Sequence, residues 1–240
     1  MSDLYGKYTA YHYAAYRPAL HEVILAECLD SENFSLGLDI GCGTGRSSLP
    51  LAKYCDRVIA LDPSAEMISQ AHQHPKITYK HMQENLDIPH EAYDIITFAG
   101  SLFYCKSQAL LDKITSCCTS PAVILVYDFQ LHLDRILQEL GLDIPEEVSE
   151  YDHDADFSGL NIDLLREVFH EKRPISYPLA VSDLAHFLLS HESIYRACDY
   201  LAEKKPIHAY LTGKLTNLPK NKIMALQTDL YYKKYQVKKD

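Results

Sequence analysis

Three glycines and an aspartate have the types and spacing of a nucleotide-binding loop. Gly41, Gly43 and Gly45 alternate with other residues at the point where an apolar segment gives way to a helical pattern. Such a loop can turn sharply and can place bare backbone amides against a ligand. Asp62 follows the next apolar run, where a carboxylate can accept both hydroxyl hydrogens of a ribose. The pattern predicts a site for a cofactor that contains a nucleoside.

Two kinds of cofactor use such a loop, and the spacing favours one of them. Dinucleotide sites usually have the pattern Gly-x-Gly-x-x-Gly. Here the third glycine, Gly45, arrives one residue early, and Arg46 occupies the position that the dinucleotide pattern reserves for glycine. Asp39, directly before the loop, is unfavourable beside a pyrophosphate but suits the ammonium group of a methionine moiety. We therefore predict S-adenosylmethionine as the cofactor, with a dinucleotide as the alternative.

Alternating strands and helices must position this loop. Apolar runs predict strands at Ser35–Ile40, Arg57–Leu61, Lys76–His81, Tyr93–Ala99 and Ala122–Phe129. Helical patterns lie before and between them, at Pro18–Leu29, Gly45–Tyr54, Ala65–His72 and Gln108–Cys117. This order predicts a Rossmann-like, doubly wound α/β fold, with a mostly parallel sheet and helices on both of its faces.

The chain changes character after Phe129. Helices are predicted at Leu131–Leu140, Asn161–His170, Val181–Leu189 and Ser193–Ala202, with strands at Arg173–Ala180 and Lys222–Tyr235. We predict a single domain over residues 1–240, with lid helices at 1–30 and the cofactor-binding core at 31–129. A helical cap around one sheet strand is predicted at 130–217, and the last strand and tail at 218–240. The acidic stretch Glu146–Asp156 is interpreted as a surface loop rather than a metal site.

Composition narrows the classes of partner. The 240 residues carry a formal net charge of -10, which gives no general electrostatic reason to approach nucleic acid. The seven cysteines lack Cys-x-x-Cys spacing, which argues against a disulfide framework and a zinc site. Because no stretch has the pattern of a signal peptide or a membrane span, we expect a cytoplasmic protein that binds neither nucleic acid nor membrane.

The loop and the strand after it resemble those of a known family. Asp39-Ile40-Gly41-Cys42-Gly43-Thr44-Gly45, followed by Ala60-Leu61-Asp62-Pro63-Ser64 and Met67, resembles the class I S-adenosylmethionine-dependent methyltransferases. The resemblance spans residues 8–129 and implies a seven-stranded sheet whose last strand is inserted antiparallel near the edge. It implies that Asp39 and the glycine loop hold the methionine end of the cofactor, that Asp62 holds the ribose, and that Met67 or its neighbours lie near the adenine.

Two later segments extend the resemblance. His81-Met82-Gln83-Glu84-Asn85-Leu86 resembles the Gly-Asp-Ala-Glu-Asn-Leu stretch that reaches the adenine in this family. Met82 stands where the family has an aspartate, so the adenine contact falls to Gln83 or to backbone. The segment at the end of the fourth strand, Phe98-Ala99-Gly100-Ser101-Leu102-Phe103-Tyr104, is implied to face the transferable methyl group. The absence of an Asn-Pro-Pro-Tyr type sequence there argues against methylation of DNA bases or glutamine side chains.

The N-terminal segment resembles a narrower, small-molecule branch of the family, the type 11 methyltransferases, of which the trans-aconitate methyltransferases are an example. The similarity lies in Tyr8, Tyr11 and Tyr16-Arg17-Pro18. It implies a tyrosine-rich lid and an arginine, Arg17, that can pair with the carboxylate of the cofactor. The complete predicted cofactor-binding set is Tyr16, Arg17, Asp39, Gly41, Cys42, Gly43, Gly45, Asp62, Pro63, Met67, Met82, Gln83, Glu84, Ala99 and Gly100.

The predicted activity is methyl transfer from S-adenosylmethionine to a small molecule enclosed by the cap. Arg17, Arg166, Arg173 and Arg196 leave room for a locally basic pocket that would receive a carboxylate. A carboxylate acceptor is already anionic and needs no base, so no catalytic residue is assigned. The alternatives are a non-catalytic protein that binds S-adenosylmethionine and, less favoured, a dinucleotide-dependent oxidoreductase.

Overall fold

The computed structural model describes residues 8–9, 11–12, 15–16, 18–82, 87–144, 150–203, 205–218 and 225–238. The strands are β1 (Phe34–Ile40), β2 (Cys55–Asp62), β3 (Ile77–His81), β4 (Tyr93–Ala99), β5 (Cys118–His132), β6 (Leu165–Pro178) and β7 (Ala225–Val237). The helices are α1 (Leu20–Leu29), α2 (Ser48–Leu51), α3 (Ala65–Ser69), α4 (Leu102–Cys105), α5 (Gln108–Ser116), α6 (Asp134–Leu140), α7 (Val181–Leu189), α8 (Glu192–Leu201) and α9 (Ile207–Thr216). Within these residues, no helix is long and apolar enough to cross a bilayer.

The seven strands form one sheet in the order β3-β2-β1-β4-β5-β7-β6. β1 pairs in parallel with β2 and with β4, β2 pairs in parallel with β3, and β4 pairs in parallel with β5. The sheet is mixed, since it includes one antiparallel region. The predicted Rossmann-like α/β fold with a seven-stranded sheet is confirmed.

The chain divides into two compact units. The sheet unit consists of Leu20–Gln130, Glu150–Arg173 and Leu230–Asp240. The helical unit consists of Met1–Ala19, Leu131–Ser149 and Pro174–Asp229. The segment that begins at Glu150 therefore belongs with the strands that carry the glycine loop.

Each unit has its own apolar core. The core of the sheet unit includes buried residues of the central strands, among them Leu38, Ile40, Ile59, Leu61, Ile96 and Phe98. Such continuous burial is expected where helices cover both faces of parallel strands. The core of the helical unit includes Ile136, Leu184, Leu188, Leu211 and Leu215. Burial of each such side chain stabilises the fold by about 1.5–3 kcal/mol relative to leaving it exposed.

Two predictions of local structure are wrong, and one helix was not predicted. The helix predicted at Asn161–His170 is absent, because residues 161–164 form no helix and strand β6 begins at Leu165. The helix at Ile207–Thr216 was not predicted, although Pro206 stands at its N-terminus, where proline is compatible with a helix start. The helix predicted at Gly45–Tyr54 is reduced to Ser48–Leu51, since the glycine loop extends further than its sequence pattern indicates.

Candidate functional site

The sheet brings the ends of β1, β2 and β4 together where the strand order reverses. β1 lies between the other two strands, and Asp39 is in register with Ala60 of β2 and Thr97 of β4. In open α/β sheets, ligands bind outside the carboxyl ends of the strands at such a switch point. The glycine loop follows β1 here, so it occupies the usual position of a ligand site.

The three loop glycines all have positive φ angles, which residues with a side chain rarely adopt. The angles are 76° at Gly41, 54° at Gly43 and 86° at Gly45. A Cβ atom at Gly41 would collide with the side chain of Ser101, and one at Gly45 would collide with the ring and hydroxyl of Tyr79. A Cβ atom at Gly43 would meet nothing within 4 Å. The loop is therefore packed against protein at its ends and open in its middle, where a ligand can approach the backbone.

Asp62 ends β2 and is held in place by two backbone amides. Its Oδ2 accepts a hydrogen bond from the Gly43 amide at 2.7 Å, and its Oδ1 accepts one from the Ser64 amide at 2.8 Å. The side chain of Ser64 in turn accepts from the amide of Met67 at the start of α3. Because each carboxylate oxygen has two acceptor positions, both oxygens can still receive a ligand hydroxyl.

Asp39 is completely buried beneath the loop. Its Oδ2 accepts hydrogen bonds from the hydroxyls of Ser47 and Ser48, both at 2.6 Å, and its Oδ1 accepts one from Thr97 at 2.9 Å. Burial raises the pKa of Asp39, and the three hydroxyl donors act in the opposite direction. In this arrangement the carboxylate ties the residues after the glycine loop to β1 and β4.

A groove of about 320 Å³ opens in front of these strand ends. Its volume lies within the range typical of small-molecule sites. The lining consists of Ile40, Gly41, Asp62, Pro63, Met82, Gly100, Ser101, Tyr104 and Cys105. The groove thus combines an anionic side chain at one strand end with apolar walls, as a ribose and an aromatic base require.

The structure brings together only part of the predicted cofactor-binding set. Five of its members line the groove: Gly41, Asp62, Pro63, Met82 and Gly100. Cys42 and Gly45 are buried behind it, Gly43 borders open space, and Ala99 is the last residue of β4. Met67 is on α3 and 46% exposed. Arg17, Gln83 and Glu84 lie outside the described residues.

Tyr16 belongs to the helical unit, where its hydroxyl forms a hydrogen bond with Tyr177. Burial and this neighbouring tyrosine raise the pKa of Tyr16, so its hydroxyl stays protonated at neutral pH.

A partly buried histidine packs against the residues at the end of β5. The ring of His21, in α1, makes edge contacts with Tyr127 and Phe129, at centroid distances of 5.8 and 5.2 Å. Among the described residues, neither His21 Nδ1 nor the Tyr127 hydroxyl has a hydrogen-bond partner. Burial, together with the positive charge of Arg46, lowers the pKa of His21 to about 4. His21 is therefore a neutral imidazole at neutral pH.

A second polar constellation lies beside the end of β5. Asp128 Oδ2 is 2.7 Å from the hydroxyl of Tyr151 and accepts a hydrogen bond from His153 Nδ1 at 2.8 Å. Asp128 Oδ1 accepts from the amide of Phe129 at 2.8 Å. The hydroxyl of Tyr151 is also 2.8 Å from the carbonyl oxygen of Gly100.

The sequence interpretation missed Tyr151 and His153 as site residues, because both fall in the stretch that it assigned to a surface loop. The one available signal was Asp128, a carboxylate at a strand end, where ligands collect in open sheets. Within the part of the chain that the structure describes, no cluster of histidine, cysteine and carboxylate side chains has the arrangement of a metal site.

The comparison with known proteins agrees with this geometry. Residues 38–120 match the family model described as a methyltransferase domain. A solved structure, that of a candidate type II methyltransferase from Anaeromyxobacter dehalogenans, is 20% identical and aligns with a TM-score of 0.58 over 93% of this chain and 98% of that one. The chain has the class I methyltransferase fold. The domain match and the relatives support S-adenosylmethionine as its cofactor.

Two curated relatives match part of the chain. A candidate methyltransferase of Dictyostelium discoideum is 33% identical over 104 residues, which are 40% of this chain and 39% of the relative. The candidate S-adenosylmethionine-dependent methyltransferase CRG1 of Saccharomyces cerevisiae is 25% identical over 123 residues, which are 48% of this chain and 40% of the relative. The matches thus span about two fifths of the length of these relatives.

Proposed function

We propose that the protein transfers a methyl group from S-adenosylmethionine to a small-molecule acceptor. The observation that carries this proposal is the position of Asp62 and Gly43 at the switch point of the sheet. The Asp62 carboxylate retains acceptor capacity for ribose hydroxyls, and the open space at Gly43 admits a ligand against the loop backbone. When bound, the cofactor supplies an activated methyl group on a positively charged sulfur.

The chain's own contribution to such a transfer is alignment and shielding. Methyl transfer requires the acceptor atom, the methyl carbon and the sulfur to be in line, and it benefits from exclusion of water. Gly100 and Ser101, at the end of β4, line the groove and supply its floor beside the loop. The acidic charge of the chain, -10, favours a small acceptor over a nucleic acid.

The carboxylate acceptor suggested by the arginines receives no support from their positions. Arg173 pairs with Glu27, Arg196 pairs with Glu192 one helical turn away, and Arg166 bonds to Gln236. Arg17 lies outside the described residues. Because the three described arginines have these other partners, we do not propose that they form a basic acceptor pocket.

The non-catalytic alternative requires a cofactor pocket that is closed to an acceptor. Phe103 and Tyr104, the side chains best placed to block the groove, are 40% and 75% exposed. Tyr104 lines the groove, and its largely exposed ring does not cover the groove. This arrangement favours catalysis over passive binding.

Thermal melts test the cofactor half of the proposal. S-adenosylmethionine and S-adenosylhomocysteine should both raise the melting temperature, because a ligand that binds the native state stabilises it by mass action. NAD and ATP are the matched controls, since they share the adenosine part and lack the methionine part. A shift with NAD alone would show that the site is a dinucleotide site.

Turnover measurements test the second half of the proposal, the class of the acceptor. Release of S-adenosylhomocysteine is measured with organic acids, phenols and amines, and in parallel with RNA and protein extracts. Turnover on small molecules is expected. Turnover only on a macromolecule contradicts the proposed acceptor class, and cofactor binding without any turnover supports the non-catalytic alternative.

A further inference from the structure

The pair formed by Asp128 and His153 has the geometry of a general base and the group that orients it. The Asp128 carboxylate receives the proton on Nδ1 of His153 at 2.8 Å, which leaves Nε2 as the nitrogen with a free lone pair. Among the described residues, none forms a hydrogen bond with Nε2 of this ring. The side chain of His153 is 30% exposed.

The other titratable groups beside this histidine are unsuited to accept a proton. Burial and the neighbouring Asp128 carboxylate raise the pKa of Tyr151, which therefore stays protonated. Burial works to lower the pKa of Lys233, but its ion pairs with Asp156 at 2.7 Å and Asp154 at 3.1 Å outweigh burial and raise it. Lys233 is therefore already protonated and paired.

The nearby carboxylates have structural partners. Asp154 Oδ1 lies 3.1 Å from Lys233 Nζ and 3.3 Å from His170 Nε2. Asp152 accepts a hydrogen bond from the amide of Asp154 in a tight turn. Among the described residues that line this cavity, His153 is thus the group with both a spare acceptor atom and an imidazole ring that can accept a proton.

Two residues connect the cavity of the histidine to the cofactor groove. Gly100 and Ser101 line both the groove and the narrow cavity that contains His153, Asp128 and Tyr151. A Cβ atom at Gly100 would lie 3.1 Å from Asp128 Oδ1 and 3.4 Å from the Tyr151 hydroxyl. The Asp128 cluster is therefore in direct contact with the wall of the groove.

Three aromatic rings surround the same opening. Phe103 lies 5.4 Å from Tyr104 and 5.0 Å from Tyr151, and Tyr104 lies 5.5 Å from Tyr151, measured between ring centroids. Exposed rings on Phe103 and Tyr104 offer apolar faces to a flat molecule, since aromatic groups pack in offset or edge-to-face arrangements. The acceptor surface is thus aromatic, with a proton acceptor beside it.

We propose that His153 is the catalytic base and that the acceptor is an aromatic small molecule bearing a hydroxyl group. This inference rests on the proposed methyltransferase function. The acceptor oxygen forms a bond to the methyl carbon, and the carbon–sulfur bond breaks with its electron pair going to sulfur, which gives S-adenosylhomocysteine. The hydroxyl proton passes to Nε2 of His153, and the resulting imidazolium is stabilised by the Asp128 carboxylate and later releases its proton to water.

Matched aromatic acceptors test the substrate class. A panel of substituted phenols is compared with the benzoates that carry the same ring substituents, with S-adenosylhomocysteine formation as the readout. The phenols should be methylated and the benzoates should not. Turnover on benzoates alone overturns the inference, because a carboxylate needs no base.

Variants test the role of the histidine. His153→Gln should lower kcat on phenols by about 100-fold or more, the usual contribution of a general base, while S-adenosylhomocysteine affinity stays unchanged. His132→Gln removes a different histidine–carboxylate pair, formed with Asp229 at 3.2 Å, and should leave kcat unchanged. Equal losses in both variants, or loss of cofactor affinity in His153→Gln, contradict a catalytic role.

Chemical rescue separates a base from a structural contact. Added imidazole should restore part of the activity of His153→Ala and none of that of Asp62→Asn. Absence of rescue would assign His153 a structural role.

The reactivity of His153 provides a readout that does not require turnover. Diethyl pyrocarbonate should modify His153 in the wild type, and mass spectrometry of peptides identifies the modified residue. Exposed His90 is the internal control. If no compound in the panel is methylated, a reactive His153 still supports the inference and an unreactive one overturns it, whereas failure to bind S-adenosylhomocysteine contradicts the proposed function itself.

Discussion

Asp62 at the end of β2 accepts a hydrogen bond from the backbone amide of Gly43 at 2.7 Å. The contact joins the second strand to the middle of the loop that follows the first strand. One carboxylate thereby shapes the loop and faces the groove, where it retains acceptor positions for two hydroxyls. In the proposed function, loop geometry and ribose binding depend on the same side chain.

Asp62→Asn should weaken S-adenosylhomocysteine binding by about 1–3 kcal/mol, because charge-assisted hydrogen bonds to the ribose are lost. Calorimetric titration measures the affinity, and circular dichroism checks that the protein remains folded. Asp56→Asn is the control, since Asp56 is exposed near the beginning of the same strand. Unchanged affinity in Asp62→Asn would mean that the ribose is bound elsewhere.

Gly43→Ala and Gly45→Ala should separate binding from stability. At Gly43 the new methyl group enters open space, so folding should lose only the cost of the left-handed backbone, about 1–2 kcal/mol, while cofactor affinity falls steeply. At Gly45 the methyl group also collides with Tyr79, so the free energy of unfolding should fall further, by about 1–3 kcal/mol beyond the backbone cost. Urea denaturation and calorimetry of both variants give the comparison. Equal stability losses would contradict it.

Thr97→Val tests the role of Asp39. The substitution removes one of three hydroxyl donors to a buried carboxylate and should lower the free energy of unfolding by about 1–3 kcal/mol. Thr228→Val is the matched control, because Thr228 is equally buried and makes only a long hydrogen bond of 3.4 Å to a backbone carbonyl. If Asp39 acts as scaffold, cofactor affinity in Thr97→Val should change little. A large affinity loss without destabilisation would instead assign Asp39 to the ligand.

His21→Leu should make the protein more resistant to acid. The unfolded chain takes up a proton at His21 as the pH falls below its ordinary value near 6.5, whereas the folded protein does so only at about pH 4. Stability is therefore lost between these two pH values in the wild type. Removal of the histidine should reduce that loss by up to about 3 kcal/mol. Urea denaturation at pH 7 and pH 4 measures it.

The parts of the site that could be predicted from sequence are those encoded locally. The glycines at 41, 43 and 45 and Asp62 lie within 22 consecutive residues, and their spacing reflects one turn and one strand end. His153 could not be predicted, because its partner Asp128 is 25 residues away and the contact depends on how the intervening chain returns to the sheet. The hydrogen bonds of Asp39 could not be predicted for a similar reason, since its three hydroxyl partners come from two separate segments.

The error at Asn161–His170 has a physical cause. Leu164 and Leu165 recur with Val168 and Phe169 at a spacing of four residues, which suits one face of a helix. The segment nevertheless joins the sheet as the edge strand β6, beside β7. Pairing with a neighbouring strand here outweighs the local periodicity. That pairing cannot be recognised from a single stretch of sequence.

Gly100 forms a common wall between the groove and the cavity that holds His153, and this arrangement separates two kinds of evolutionary change. The residues proposed to hold the cofactor lie at the strand ends, whereas Tyr151 and His153 lie on a segment between strands. Substitutions in that segment can therefore alter the proposed acceptor side while the lining of the groove is retained, whereas Tyr104 of the short helix also lines the groove. Among related chains, substitutions should therefore appear in that segment between strands first. Chains that replace Gly100 should also carry substitutions in both the groove and the cavity.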